Sequence, residues 1–262
     1  MPPTPSNDAA RALRTLLVEA GNLALTLPAE PSRKQDGTLV TAADRIVEEM
    51  LVAGLRAAFP DDAIEGEEGT AVAGSSGARW YVDPIDGTGA FVEGLPVWGP
   101  TVARVENERV RLGGFYVPRT RQYFAVSDGA ASLDGDLLPS PTVARSPERT
   151  VFVPSRLHQF FDLRWGGKAR SLGSTAAHLC LAAAGSARAA IVGPGWKPWD
   201  VLFGLAMIDA AGGSAHVFRA DGSGGPFDPW RDSGLPFVAG DGDSVRWLAT
   251  PGTILRKEPH RP

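Results

Sequence analysis

Asp83 and Asp86 flank Pro84-Ile85 in the stretch Trp80-Tyr81-Val82-Asp83-Pro84-Ile85-Asp86-Gly87-Thr88, directly after a short apolar run. Trp80, Tyr81 and Val82 suit a buried strand, whereas Asp83-Pro84 and Asp86-Gly87-Thr88 are turn and helix-start residues, so both carboxylates are expected at a strand's end. Other acids stand out: Asp44 at the start of a predicted helix, Glu67 and Glu68 in Ile64-Glu65-Gly66-Glu67-Glu68-Gly69, and Asp200 in Lys197-Pro198-Trp199-Asp200. None belongs to a charged face with balancing lysines. Acids gathered with a main-chain carbonyl such as that of Ile85 make an all-oxygen site, which hard divalent cations, Mg²⁺ above all, prefer. Histidine and cysteine are missing from the set, which argues against zinc. Asp86-Gly87-Thr88 adds consecutive backbone N–H groups at a predicted helix N-terminus, where a phosphate is readily held. Metal beside phosphate implies phosphoester hydrolysis, because divalent cations stabilise a leaving alkoxide and acidify an attacking water. Thr88 can orient such a water through its hydroxyl, and Asp44 or Glu67 can accept the proton.

These residues need elements to position them. Leu13, Leu16, Leu17, Ala20, Ala24 and Leu27 recur at helical spacing and predict an amphipathic helix from Asn7 to Leu27, ending before Pro28. After a polar loop, Ala43, Ile46, Val47, Met50, Leu51 and Leu55 predict a second helix that stops near Phe59-Pro60. Thr41 can cap it, with Asp44 three residues on as in a capping box. Ala78–Val82, Val97–Val105, Val110–Val117 and Gln122–Ser127 read as antiparallel strands separated by turn signals such as Glu106-Asn107. Beyond Val151 the pattern alternates: strands at Val151–Val153 and Ala189–Val192, helices at Ser174–Ala184 and Asp200–Ala211, strands near Ala215–Phe218 and Pro236–Ala239, and a short helix near Val245–Leu248. Such alternation implies a sheet covered by helices. The Pro/Ser-rich stretch Leu138–Pro147 is the expected seam between an N-terminal α+β half and a C-terminal α/β half of one domain spanning 1–262, its apolar neighbours favouring a single cooperative unit.

Bulk properties narrow the class. With 262 residues, 43% of them hydrophobic and 21% charged, the chain has the material for one large domain or two packed halves. A net charge of −4 without a basic run speaks against nucleic-acid binding, and the single cysteine, Cys180, excludes an internal disulfide framework. The Pro-rich start Met1–Pro5 and the basic finish Arg256–Pro262 read as loose tails rather than targeting signals, since neither adjoins a long apolar run. No membrane route is visible, and the cytoplasm is the default location.

The segments Lys34-Gln35-Asp36-Gly37-Thr38-Leu39-Val40-Thr41-Ala42-Ala43-Asp44, Gly66-Glu67-Glu68, Asp83-Pro84-Ile85-Asp86-Gly87-Thr88, Gly173-Ser174-Thr175-Ala176-Ala177 and Trp199-Asp200 resemble, in order, the motifs of the inositol monophosphatase family. The resemblance implies a layered αβαβα fold of the α+β class, usually a homodimer, that removes phosphate from small phosphorylated metabolites with two or three Mg²⁺ per active site and is commonly inhibited by Li⁺. By motif position, Glu67, Asp83 and the Ile85 carbonyl would hold the first metal, and Asp83, Asp86 and Asp200 the second, while Asp44 and Thr88 would activate water and Gly87 and Thr88 would hold the phosphate. Glu67 is read with the catalytic set, Asp86 with the phosphate cradle, and Gly173, Ser174, Thr175 and Lys197 are the substrate-side candidates. The chain departs from the family's frequent pattern at Ala90, where Asn is common, and before Trp199-Asp200, where inositol-specific members carry an acid and this chain reads Gly193-Pro194-Gly195-Trp196-Lys197-Pro198. The combination of Lys34-x-Asp36-Gly37, Gly94-Leu95-Pro96-Val97-Trp98-Gly99 and Lys197-Pro198-Trp199-Asp200 looks most similar to the histidinol-phosphate phosphatase branch. Inositol phosphates, sugar bisphosphates and 3′-phosphonucleotides are the alternative substrates.

Blander roles compete at several positions. Asp44 and Asp200 also suit helix capping, Glu68 is as much a supporting or surface residue as a ligand, and Lys197 reads equally as a surface lysine. His178 and Cys180 read as structural residues of an alanine-rich helix. Trp98, Trp196 and Trp199 fall near the expected mouth, where an apolar wall is one reading. A haloacid-dehalogenase-type phosphatase is disfavoured because two residues, rather than one, separate Asp83 from Asp86. A non-catalytic metal- or phosphate-binding protein is the rival of another class, and the complete acidic set speaks against it.

Overall fold

Helices α1 (Asn7–Ala24) and α2 (Ala42–Ala58) each turn one apolar stripe inward, with Leu13, Leu17, Ala20 and Ala24 buried on the first and Ala43, Val47, Leu51 and Leu55 on the second. Spacings of three and four residues put each set on one face. α1 stops three residues short of Leu27: the Thr26 and Leu27 N–H groups donate to carbonyls only three residues back, a tightening before Pro28, whose ring disfavours helix in its predecessor. The computed structural model describes residues 7–140, 147–219, 223–250 and 252–256. The Pro-rich start, residues 141–146 of the expected seam, and residues 257–262 of the basic finish, with His260, lie outside them.

The chain divides between Leu137 and Leu138 into two compact units. In the first, Pro31–Arg33 (β1) and Leu39–Thr41 (β2) form an antiparallel hairpin where a polar loop is expected. Its first strand is exposed throughout, so no alternation of burial marks it in sequence. An eight-stranded sheet follows, built from β3 (Ala63–Gly66), β4 (Ala71–Val72), β5 (Arg79–Asp86), β6 (Gly99–Glu106), β7 (Arg109–Val117), β8 (Gln122–Ser127), β9 (Ala130–Leu133) and β10 (Asp136–Leu137), with the short helix α3 (Thr88–Val92) inserted after β5. Spatial order is β10-β9-β8-β7-β6-β5-β3-β4. The meander from β5 to β8 is antiparallel as expected, whereas β3 and β5 pair in parallel, Gly66 opposite Val82. β5 also continues through Asp86 instead of stopping at Val82, and its register on β6 shifts between Asp83 and Asp86. Such irregularities re-aim side chains next to functional sites.

Asp62, at the foot of β3, ties this region together. Its carboxylate accepts from Ser76 Oγ at 2.6 Å, Trp80 Nε1 at 3.0 Å and Arg104 Nε at 2.7 Å, joining the start of β3 to β5 and β6. Burial opposes its charge, and these donors outweigh that, holding its pKa below the usual carboxylate value.

The second unit has its own core around Val151, Phe161, Ile191, Val238 and Leu248. It contains β11 (Val151–Phe152), α4 (Leu157–Phe160), β12 (Phe161–Leu163), β13 (Ala169–Arg170), α5 (Thr175–Ala183), β14 (Ala189–Val192), α6 (Pro198–Ala210), β15 (Ser214–Phe218), β16 (Gly224–Pro226), β17 (Phe237–Gly240), α7 (Gly242–Leu248) and β18 (Ile254–Arg256). Six of its strands make a mixed sheet in the order β13-β11-β14-β17-β15-β16, and β12 pairs with β18. α6 begins two residues before Asp200, because Pro198 supplies the φ of a first helical position and lacks the N–H that would go unbonded there. No described helix is long and apolar enough to cross a membrane.

Candidate active site

Parallel pairing of β3 with β5 brings the first acids together. β3 ends at Gly66, so Glu67 leaves the sheet beside the stretch of β5 that carries Asp83, and its N–H donates to the Val82 carbonyl at 3.0 Å. Asp83 is 2% exposed, and its Oδ1 accepts the Ile85 N–H at 2.9 Å. That bond closes the turn over Pro84 and fixes one carboxylate oxygen. Asp86 is also buried, and Gly87 follows with φ 94, a left-handed conformation that favours glycine. Thr88 then opens α3.

Asp44 comes from α2. Thr41 caps that helix, and the reciprocal bonds of a capping box are present: Thr41 N–H and Oγ1 donate to Asp44 Oδ2 at 2.7 and 2.6 Å, while Thr41 Oγ1 accepts from the Asp44 N–H. Capping occupies one oxygen only. The other, Oδ1, accepts from Thr88 Oγ1 at 3.1 Å, so capping and a place beside Thr88 belong to the same carboxylate, which is 1% exposed. Thr88 Oγ1 also lies 3.3 Å from the Ile85 carbonyl, and its one proton serves one acceptor at a time.

Lys34, in the hairpin loop, was not expected among the acids. Its Nζ pairs with Glu67 Oε1 at 2.8 Å and Glu68 Oε1 at 2.7 Å, so these glutamates do have a balancing lysine, 33 residues away in sequence. Burial lowers the Lys34 pKa and the bonds to both glutamates outweigh it, leaving the ammonium above the ordinary lysine value. Burial pushes the Glu68 carboxyl up, against the pull of Lys34. The carboxylates already gather positive charge, and with the Ile85 carbonyl they offer only oxygen donors, so the residues present fit a hard divalent cation.

Glu48 is the other residue that sequence reasoning passed over. It lies on α2 one turn after Asp44, is buried, and its carboxylate accepts the Glu68 and Thr70 N–H groups at 2.8 and 3.2 Å. An acid interrupting the apolar stripe of an amphipathic helix was the available signal.

In the second unit, Asp200 is the third residue of α6 and its Oδ2 accepts the Lys197 N–H at 2.6 Å; the Lys197 side chain is exposed. Gly173 has φ 90 and Ser174 caps α5, its buried hydroxyl accepting the Ala177 N–H at 3.1 Å, while Thr175 is half-buried. Trp98 and Trp196 do not form an open apolar wall. Trp98 is 0% exposed against Phe91, and Trp196 is packed edge-on to Phe227 and Phe237 with its Nε1 donating to the Leu235 carbonyl, so both are core residues; only Trp199 is half-exposed. His178 is structural as expected: its Nε2 accepts the Leu172 N–H at 2.8 Å, its ring stacks on Phe152, and burial lowers its pKa to about 4.

An acidic, oxygen-only set of donors where β3 ends beside β5, with a hydroxyl–carboxylate pair next to it, suits metal-dependent phosphoric monoester hydrolysis, the class to which the similar proteins belong. The sequence model of the inositol monophosphatase family matches residues 8–236. A histidinol-phosphatase of Chlorobaculum parvum is 32% identical over 196 residues, 71% of this chain and 75% of that protein. Human inositol monophosphatase 1 is 31% identical over 209 residues, 72% of this chain and 73% of that protein. A solved Thermotoga maritima IMPase superposes with a TM-score of 0.73 at 27% identity, covering 90% of this chain and 94% of that one, and shares its α+β fold. The chain belongs to the inositol monophosphatase family.

Proposed function

We propose that this family member is a Mg²⁺-dependent phosphomonoesterase whose preferred substrate is histidinol phosphate. The observation that carries the hydrolytic reading is the junction of β3 and β5, which sets Glu67 beside Asp83 next to the Asp44–Thr88 pair. Glu67, Asp83, Asp86 and the Ile85 carbonyl are the ligands we assign within the first unit, with Asp200 assigned by its place in the motif order. Bound there, Mg²⁺ would supply neutralisation of the phosphate charge and acidification of the attacking water.

The chain's own groups do the rest. Asp44 Oδ1 takes the Thr88 hydroxyl proton in its hydrogen bond, which turns the Thr88 oxygen lone pairs outward to accept from a water. Thr88 thereby orients the nucleophile and Asp44, through it, draws the water's proton, with Glu67 as the alternative acceptor. Asp86, Gly87 and Thr88 offer backbone N–H groups to the phosphate. Gly173, Ser174, Thr175 and Lys197 are the groups we assign to the substrate side; because the Ser174 hydroxyl is engaged as a cap, Gly173, Thr175 and the exposed Lys197 have the freer polar groups.

Substrate choice rests on Lys197 standing where inositol-specific sequences carry an acid, and on similarity to a protein named histidinol-phosphatase. Similarity to human inositol monophosphatase 1 supports inositol 1-phosphate as the second reading. The proposal includes two or three Mg²⁺ per site, a homodimer, a cytoplasmic location and one domain spanning 1–262. A phosphate-release assay against histidinol phosphate, inositol 1-phosphate, a sugar bisphosphate and a 3′-phosphonucleotide, with Mg²⁺ and with excess EDTA, tests it. We expect release with Mg²⁺ only, and the highest kcat/KM for histidinol phosphate. Equal release in EDTA would overturn the metal chemistry, and a higher kcat/KM for inositol 1-phosphate the substrate.

A further inference from the structure

A buried carboxylate lies beneath the turn that carries Glu67, and every backbone N–H of that turn is accounted for. Gly66 N–H donates to the Thr70 carbonyl at 2.8 Å, Glu67 N–H to the Val82 carbonyl at 3.0 Å, and Gly69 N–H to the Gly66 carbonyl at 3.3 Å. The remaining two, from Glu68 and Thr70, donate to Glu48 Oε2 and Oε1. Glu48 is 3% exposed, and among the described residues no lysine or arginine pairs with it. A buried charge without a counter-ion is costly, and an apolar residue would serve the α2 stripe better. The turn is also shaped to the acid: a Cβ at Gly66 would lie 2.5 Å from Glu48 Cδ and 2.6 Å from each oxygen, so the carboxylate rests directly on the glycine.

We infer that Glu48 is a positioning residue for the metal site, holding the Gly66–Thr70 turn so that the Glu67 carboxylate is presented beside Asp83 before any cation arrives. This rests on the reading of Glu67 as a ligand. Both oxygens of Glu48 act as acceptors, so glutamine would set an N–H₂ group against a backbone N–H, and aspartate, one methylene shorter, would keep the charge but lose the reach. α2 thus serves the site twice, with Asp44 at its start and Glu48 one turn later. Supporting groups around metal ligands commonly alter affinity by roughly 10- to 100-fold.

The test is calorimetric Mg²⁺ titration of Glu48→Gln, Glu48→Asp, Gly66→Ala and Glu67→Gln without substrate, alongside the Mg²⁺ dependence of phosphate release. We expect about tenfold weaker Mg²⁺ binding in both Glu48 variants, with turnover at saturating Mg²⁺ close to wild type. Gly66→Ala, which displaces the same carboxylate from the opposite side, should show the same shift and add little to Glu48→Gln in the double variant; it also serves should either Glu48 variant fail to fold. A purely structural Glu48 lowers the melting temperature and leaves Mg²⁺ affinity alone, and that result with Glu67→Gln still weakened overturns the positioning role. Unchanged affinity in Glu67→Gln overturns the ligand reading beneath it.

Discussion

At the scale of single residues, the two oxygens of a carboxylate do different work. Asp83 gives Oδ1 to the Ile85 N–H, a bond that asparagine can also accept, so Asp83→Asn keeps the turn and removes the charge. If Asp83 is shared between cations, the loss in kcat/KM should be on the order of 10³-fold or more, since metal assistance supplies several kcal/mol. Glu68→Gln makes the fitting control, because its carboxylate faces Lys34 and its removal leaves the Asp83 turn intact. Steady-state kinetics at saturating Mg²⁺ decide: Asp83→Asn within tenfold of wild type, or no worse than Glu68→Gln, would remove Asp83 from the metal site.

Elements explain why buried polar groups persist away from the acids. In α5, His178 stacks on Phe152 of β11 at 5.1 Å and closes the loop before the helix through the Leu172 N–H. That bond needs the neutral ring, and burial lowers the folded pKa to about 4 against an ordinary value near 6.5. The unfolded chain therefore binds a proton at higher pH than the folded one. His178 should contribute fully to stability above about pH 6.5 and progressively less as pH falls towards 4. His178→Gln, which retains an acceptor but does not titrate, should flatten the rise of stability between those limits. Denaturant melts at pH 4.5, 5.5 and 7 measure it, and an unchanged slope would place the acid sensitivity elsewhere.

For the whole molecule, a cation that binds the folded chain alone must stabilise it. Mg²⁺ held at 100 times its dissociation constant is worth about 2.7 kcal/mol, visible as a rise in melting temperature over the EDTA-treated protein. Asp83→Asn should lose most of that rise. Crowded acids repel one another without the metal, so in EDTA the variant should melt no lower than wild type. A variant that melts far lower in EDTA yet keeps the full Mg²⁺ increment would show that Asp83 serves the turn rather than the cation.

Much of the chemistry was legible because it is carried by short segments. Asp83-Pro84-Ile85-Asp86-Gly87-Thr88 puts two acids, a carbonyl and a hydroxyl within six residues, and Thr41 with Asp44 makes a local capping box whose geometry follows from helix spacing alone. The helices α1 and α2 were likewise readable, since one face of each is buried with the helical period, and β6 to β8 were readable as short apolar runs between turn signals, β6 and β7 being buried along most of their length. Sequence by itself determined the acidic, oxygen-only character of the site and the family. Tertiary structure decided three things: that β3 runs parallel to β5, that Lys34 reaches Glu67 and Glu68, and that Glu48 sits beneath the Glu67 turn. Each depends on partners about twenty or more residues apart or on strands only three or four residues long, where local periodicity carries no signal and burial of the assembled core selects the pairing. The same burial removed Trp98 and Trp196 from the surface, because an aromatic side chain beside a glycine-rich turn reads alike in sequence whether it lines a mouth or fills a core.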